Sequence, residues 1–502
     1  MASIRELEPT ESDVLDTAAA GGLVIRGGVI RVLAYAATSL LALGAVVVVT
    51  RYLEPDRFGQ YQTIVSLMIV VGAVSDLGMA TLGTREFSQR TGDDRRSYMR
   101  ILLGLRLLLT LLGATGAIIF ALAAGYSSSL LLGTAFAAIS LVLMVVQTTL
   151  SIPLGVELRL GTLAAMDIAR QALTTALIIG VVFAGGGVAE LLGATIPVQL
   201  LLIVWAYVLV RGKIALRPGF SIRAWRGLLG ATIGFALAMA SGAIYQNLAQ
   251  ILTSLVAGEM QTGIFSAAFR VYMIIGSVPF ILVAGSFPVL ARAARDDHER
   301  LHYALRRLTQ ATLLVGGACA LFVYFGAAPI IEVIGGSGFS DSAAVLKILA
   351  AAMLVGFALI SWGFGLLSLH QHRALVVANL VALLVMGSLV VALAPSSLGA
   401  RGSAIAVIIG EVCLAAGYAV GLRVGAGPGT LISSETIRAL VALAGGAGVA
   451  FAAPLESPVA QVLVALVTYS LLLVVLRAIP RETVDLLPAS MRSHVPAWML
   501  AD

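Results

Sequence analysis

The chain has 502 residues, 59% of them hydrophobic and only 12% charged, with a mean hydropathy of +1.01. A soluble protein of this length could not hide so much apolar surface, so its solvent is lipid. The net charge of +6 does not point to nucleic acid, because the basic residues cluster between apolar runs, where membrane topology accounts for them.

The N-terminal stretch "ELEPTESDVLD" is acidic and precedes the first apolar run. It lacks the basic segment of a cleaved signal peptide, so residues 1–28 are expected to stay as a cytosolic tail. Apolar runs of about 20 residues follow, the length that crosses a hydrocarbon core roughly 30 Å thick. Alternating ten-residue strands are absent, which argues against a barrel. The first six spans fall near 29–52, 60–86, 98–123, 128–150, 162–184 and 188–210. Six more fall near 226–257, 262–291, 307–334, 343–368, 374–394 and 402–424. The last two lie near 436–453 and 458–478, giving about fourteen helices.

The connections alternate in charge. Arg85, Arg90, Arg95, Arg96 and Arg100 follow the second span. Arg211, Lys213, Arg217, Arg223 and Arg226 follow the sixth, and Arg292, Arg295, Arg300, Arg306 and Arg307 the eighth. The connections between these are short and poor in Lys and Arg: "AGYSSS", "AGGGVAE", "AGEMQTG", "APSSLGARG", "APLESP". The positive-inside rule then puts both termini and the basic loops in the cytosol of a cell-membrane protein.

A shift of 204 residues lays Gly263 on Gly59, Phe265 on Tyr61 and Arg270 on Ser66. In each half a long helix, a short outer turn, a second long helix and a basic loop follow in that order. The expected fold is an all-α integral membrane protein: two parallel-repeat six-helix lobes around a central cavity, plus two C-terminal helices. The expected boundaries are 29–212 for the N-lobe, 213–225 for a cytosolic linker broken by Pro218 and Gly219, and 226–425 for the C-lobe. Residues 426–480 carry the last two helices, and 481–502 form a cytosolic tail.

Several classes of chemistry find no support. No connection is long enough for an external catalytic domain, and no P-loop is present, so an enzyme is not expected. Cys319 and Cys413 lie inside spans in no metal-ligand or CxxC spacing. His298 and His302, four apart in "RDDHERLHYALRR", read as a solvated amphipathic face. No cofactor or metal is expected.

One stretch stands apart: "RYLEPDRFGQYQ", Arg51 to Gln62, packs charges, a proline and a glycine between two apolar runs. Pro55 and Gly59 let the chain reverse. Arg51, Glu54, Asp56 and Arg57 then sit at headgroup depth, as an interfacial anchor or as a gate. The pattern R-Y-L-x-P-x-x-F-G-x-Y, with D-L-G at Asp76 to Gly78, resembles the start of the polysaccharide-transport family, the O-antigen flippases. These belong to the multidrug/oligosaccharidyl-lipid/polysaccharide exporter superfamily. "TGIFSAAFRVY" (Thr262 to Tyr272), "FPVLAR" (Phe287 to Arg292) and "GSGFSDSAAVLKILA" (Gly336 to Ala350) extend the likeness.

The resemblance implies a flippase moving a polyprenyl-diphosphate-linked oligosaccharide by alternating access, for surface polysaccharide biosynthesis. Its partners would be that substrate, membrane lipids, and a glycan polymerase or glycosyltransferases of the same pathway. A lipid II flippase, a cation-coupled multidrug exporter and, from another class, a membrane glycan polymerase or ligase remain as alternatives. Family members often carry an acid midway along the seventh helix; "YQNLAQILTS" here has amides instead.

Charges inside a membrane are costly and normally face a cavity or a partner. Arg270, about nine residues into its span and so roughly 14 Å deep, fits a diphosphate, whose oxygens a guanidinium meets with two prongs. Glu411 and Asp76 are its possible structural partners, and Asp76 could equally pair with Arg106. Arg31 and Tyr35 share one stripe of the first helix. Tyr245, Asn247 and Gln250 form a polar band on the seventh, suited to sugar hydroxyls or to helix–helix contact. The cavity candidates are therefore Arg270, Arg31, Tyr35, Tyr245, Asn247, Gln250, Asp76 and Glu411, with Arg51 and Arg57 at the gate.

Overall fold

The computed structural model describes residues 19–211, 217–284, 286–296, 298–427 and 433–479. The first lobe opens with α1 (Ala19–Tyr52), which begins well before the expected position near 29. Pro55, at the first turn where a missing N–H costs nothing, starts α2 (Pro55–Asp76). The expected single span 60–86 is broken in two: Leu77 and Gly78 both take left-handed backbone, with φ of 45° and 69°. The chain turns there into the short amphipathic α3 (Met79–Gln89). The "D-L-G" of the sequence is thus a helix stop.

Next come α4 (Gly92–Ala123), α5 (Ser128–Leu150), α6 (Ile152–Val156), α7 (Leu160–Phe183), α8 (Val188–Gly193) and α9 (Thr195–Val210). Ser127 caps α5 by accepting from the Leu130 N–H.

The second lobe begins with α10 (Ile222–Val256), capped by Ser221. The expected span 262–291 is also divided, into α11 (Gly258–Gly276), α12 (Val278–Ala284) and the basic, amphipathic α13 (Phe287–Asp296). Then follow α14 (His298–Phe325), the short α15 (Ala327–Gly335), α16 (Ser342–Ser368), α17 (His372–Leu393) and α18 (Ala400–Ala426). Last are α19 (Ser434–Ala452) and α20 (Pro458–Val475).

Twelve helices among the described residues are long and apolar enough to span a membrane by themselves. The long helices α1 and α10 bring the number to fourteen. Large apolar side chains such as Phe183, Leu384, Val424 and Val475 are exposed on the outside, as lipid-facing residues should be. Short connections poor in Lys and Arg lie at one end of the bundle, and the basic ones at the other.

Packing is continuous between the lobes: one apolar core runs from Ala45 to Ala426. A second core, built around Met99, Leu102, Leu154 and Leu202, fills the basic end of the first lobe. A third joins α19 and α20 to α14. There the Tyr469 hydroxyl donates to the Leu314 carbonyl at 3.0 Å, and Gln310 donates to the Ala478 carbonyl at 2.9 Å. The segment between the lobes docks on α4: the Gly219 N–H donates to the Arg100 carbonyl at 2.7 Å. The Trp225 indole donates to the Ile101 carbonyl at 3.1 Å.

Candidate functional site

The lobes meet at the end opposite the basic loops, and "RYLEPDRFGQYQ" is the piece that makes the contact. Arg51 donates from Nε to the Val333 carbonyl at 2.9 Å and from a terminal nitrogen to the Glu332 carbonyl at 3.3 Å, so α1 is tied to α15. Tyr52 bonds the Gly186 carbonyl at 2.9 Å inside its own lobe. Phe58 meets Phe339 edge to face, with ring centres 5.7 Å apart. Gln60 donates to the Glu259 carboxylate at 2.6 Å. Below these, α2 lies directly on α11, backbone against backbone at Gly59 and Gly263. Arg57 is exposed and makes no bond among the described residues.

Arg270 stands about two turns deeper than Gly263 on the same seam. It is the thirteenth residue of α11, about 18 Å from the helix start at 1.5 Å per residue. Its side chain is half-buried, its Nε has no hydrogen-bond partner, and no ion pair holds it among the described residues. The Tyr61 phenol of α2, across the lobe junction, lies within electrostatic reach of it.

Both acids that sequence offered as structural partners of Arg270 are engaged elsewhere. Asp76 accepts from Arg106 at 2.6 Å, and Arg106 also donates to Thr149 at 2.7 Å and Thr148 at 3.3 Å. Glu411 accepts from the Tyr272 hydroxyl at 3.1 Å inside the second lobe. The Arg270 guanidinium at mid-depth is therefore left without a protein counter-charge among the described residues.

The other candidates are dispersed. Arg31 and Tyr35 lie on α1, but their side chains fall outside the described ones. Tyr245, Asn247 and Gln250 are all buried in this conformation. Asn247 bonds the Ala243 carbonyl of its own helix, while the Tyr245 hydroxyl and the Gln250 amide nitrogen have no partner.

Sequence reasoning did not single out Tyr272, Gln60 or Glu259. For Gln60 and Glu259 a signal existed, since each sits within about one turn of a repeat-matched glycine. For Tyr272 none did, because its partner is 139 positions away.

The sequence model of the family described as "Polysaccharide biosynthesis protein" matches residues 24–294, more than half of the chain. The chain belongs to that family. No curated protein matches it by sequence. Among solved structures it is similar to the "Lipid II flippase MurJ, inward closed conformation", with a TM-score of 0.73 at 12% identity over 88% of this chain and 98% of that one. It is also similar to the "Inward-facing conformation of a multidrug resistance MATE family transporter of the MOP superfamily", with a TM-score of 0.64 at 15% identity over 78% of this chain and 97% of that one. At such identities the likeness establishes a shared fold, that of two-lobed membrane transporters.

Proposed function

We propose that this chain is a flippase for a polyprenyl-diphosphate-linked oligosaccharide, carried across the cell membrane from the basic, cytosolic face to the opposite face. The observation that carries this is Arg270: a guanidinium at mid-depth, at the junction of the lobes, with no anionic partner among the described residues. A lone, half-buried cation at mid-membrane depth is expensive and needs an anion to offset it. A diphosphate supplies one, with oxygens spaced for a forked donor. The Tyr61 phenol, within electrostatic reach across the lobe junction, adds a hydrogen-bond donor for the same oxygens. The lobes would rock about the α2–α11 seam, opening alternately to the two faces, while the polyprenyl tail stays in the bilayer.

Membership of a polysaccharide biosynthesis family supports the sugar-bearing substrate. A lipid II flippase is the second reading, favoured by the likeness in fold to a lipid II flippase. Both substrates share the polyprenyl diphosphate, so the assay must vary the sugar.

The test uses the full chain in vesicles holding a polyprenyl-diphosphate oligosaccharide with a fluorescent sugar, its exposure followed by an impermeant quencher. Wild type should expose it. Arg270→Ala should not, and Arg270→Lys should recover only part, because a point charge does not match the phosphate fork. Transport by Arg270→Ala at the wild-type rate would remove the role. Preference for lipid II in the same assay would select the second reading.

A further inference from the structure

Glu411 is the only acidic side chain in the buried set among the described residues, at 8% exposure. It is the twelfth residue of α18, about 17 Å from the helix start, and so near mid-membrane. Unlike Asp76, it has no basic partner among the described residues. Every helix around it presents a hydroxyl, an amide or bare backbone instead.

From α11 the Tyr272 hydroxyl donates to Oε1 at 3.1 Å. From α10 the Tyr245 hydroxyl, buried and without a partner, lies within electrostatic reach of the carboxyl. Tyr418, two turns along α18, is also within reach, and its hydroxyl accepts from Asn379 of α17 at 3.3 Å. Cys413, half-buried on α18, lies within electrostatic reach of Tyr245. From α16 comes only Gly356: a Cβ there would stand 3.8 Å from Oε2 and 3.3 Å from the Tyr272 oxygen. The second carboxyl oxygen thus lies near the bare backbone at Gly356.

An ionised carboxyl in this setting has hydrogen-bond donors but no counter-charge, which mid-membrane burial penalises heavily. A protonated one is neutral and keeps its bond to Tyr272. No group of three or more His, Cys, Asp or Glu gathers among the described residues to hold a metal ion. The facing stretch of α10, "YQNLAQ", offers amides and a phenol but no second acid.

We propose that Glu411 is a proton-binding site of the second lobe. It is neutral in the conformation described, and it releases its proton when movement of α10 and α11 against α18 admits water. Binding forms one O–H bond on Oε2 and neutralises the carboxylate, and release reverses it. Coupling of that proton to glycan movement rests on the transport reading above; the proton site itself does not.

Two measurements separate the claims. The first is an infrared difference spectrum of the purified full chain in nanodiscs, between acid and alkaline buffer. Wild type should show the carbonyl band of a buried protonated carboxyl, and Glu411→Gln should lose it. Glu411→Asp should shift the band, which keeps the test available if the Gln variant does not fold. Tyr272→Phe should move the midpoint to higher pH, because it removes the donor that favours the ionised form. A band unchanged in the Gln and Asp variants, or one that responds to sodium at fixed pH, would overturn the proposal. The second is the vesicle assay under an imposed pH gradient. Wild-type transport should depend on the gradient, and Glu411→Gln should lose that dependence by about tenfold. A band lost as expected alongside no transport by wild type would leave the proton site standing and remove the flippase reading instead.

Discussion

Gly59 and Gly263, matched positions of the two halves, press against each other where the lobes meet. A Cβ on Gly59 would stand 2.7 Å from the Gly263 nitrogen and run into the Glu259 carbonyl oxygen. One on Gly263 would run into the carbonyl oxygen of Pro55. Only residues without side chains let α2 and α11 come this close. The internal repeat therefore has a physical use: the same bare spot on both lobes makes the seam flat from both sides.

A larger residue at that seam should wedge it open. In Gly263→Val, α2 cannot settle onto α11 without displacing backbone. Cysteines placed at Gln60 and Glu259, whose side chains bond at 2.6 Å, should cross-link readily in the parent. With the Gly263→Val substitution added, cross-linking should slow by about tenfold, a shift of roughly 1.4 kcal/mol against the closed seam. Glycan export should fall with it while membrane levels hold. Cross-linking at the parent rate would mean the helices need not approach this closely.

The spans were legible because each apolar run is long and each basic loop is dense, so composition alone separates lipid from headgroup. The Asp76–Arg106 pair was legible as one of two options, since the second and third helices must be neighbours. The broken helices at Leu77–Gly78 and near Ser277 were not. Leu77 takes left-handed backbone, which is uncommon for a leucine, and the residue gives no local sign of it. The surroundings of Glu411 were hidden for a different reason. Its tyrosines come from helices whose order in space depends on the whole fold. The polar band of α10 read either as cavity lining or as helix–helix contact, because periodicity assigns a face and not a neighbour.

The segment that joins the lobes should be held by one tryptophan. Trp225 donates to the Ile101 carbonyl, and Gly219 bonds Arg100 close by. Gly104 provides the room, since a Cβ there would meet the Gly219 carbonyl oxygen. Trp225→Ala should cost about 1 kcal/mol of docking free energy. Trypsin cleavage after exposed Arg217 should then quicken several-fold in the folded protein. Cleavage at the parent rate would show that the backbone bonds suffice.

Orientation follows from the placement of the arginines. Single cysteines at Arg95 and Arg300 should resist an impermeant thiol reagent in intact cells, and one at Ser128 should react. Detergent should expose all three. Reaction at Arg300 with none at Ser128 would reverse the assignment of faces.

The ion pair of the first lobe should be lopsided in its energetics. Arg106 is almost wholly buried, with 4% of its side chain exposed, whereas Asp76 keeps 31%. Removing one partner strands the other, and the cost depends on how much water the stranded group reaches. Asp76→Leu leaves a sealed guanidinium that retains only Thr148 and Thr149, so it should cost about 3–5 kcal/mol. Arg106→Leu leaves a carboxylate that still meets solvent, and it should cost less, about 1–3 kcal/mol. The double variant should be more stable than Asp76→Leu alone, because no charge is left unpaired. Thermal unfolding of purified protein in one detergent gives all three values. The same variants separate structure from transport. If Asp76 serves only to balance Arg106, the double variant should export glycan at close to the parent rate. A stable double variant without export would assign Asp76 a second role toward the substrate. A reversed order of the single variants would mean that burial does not govern the pair.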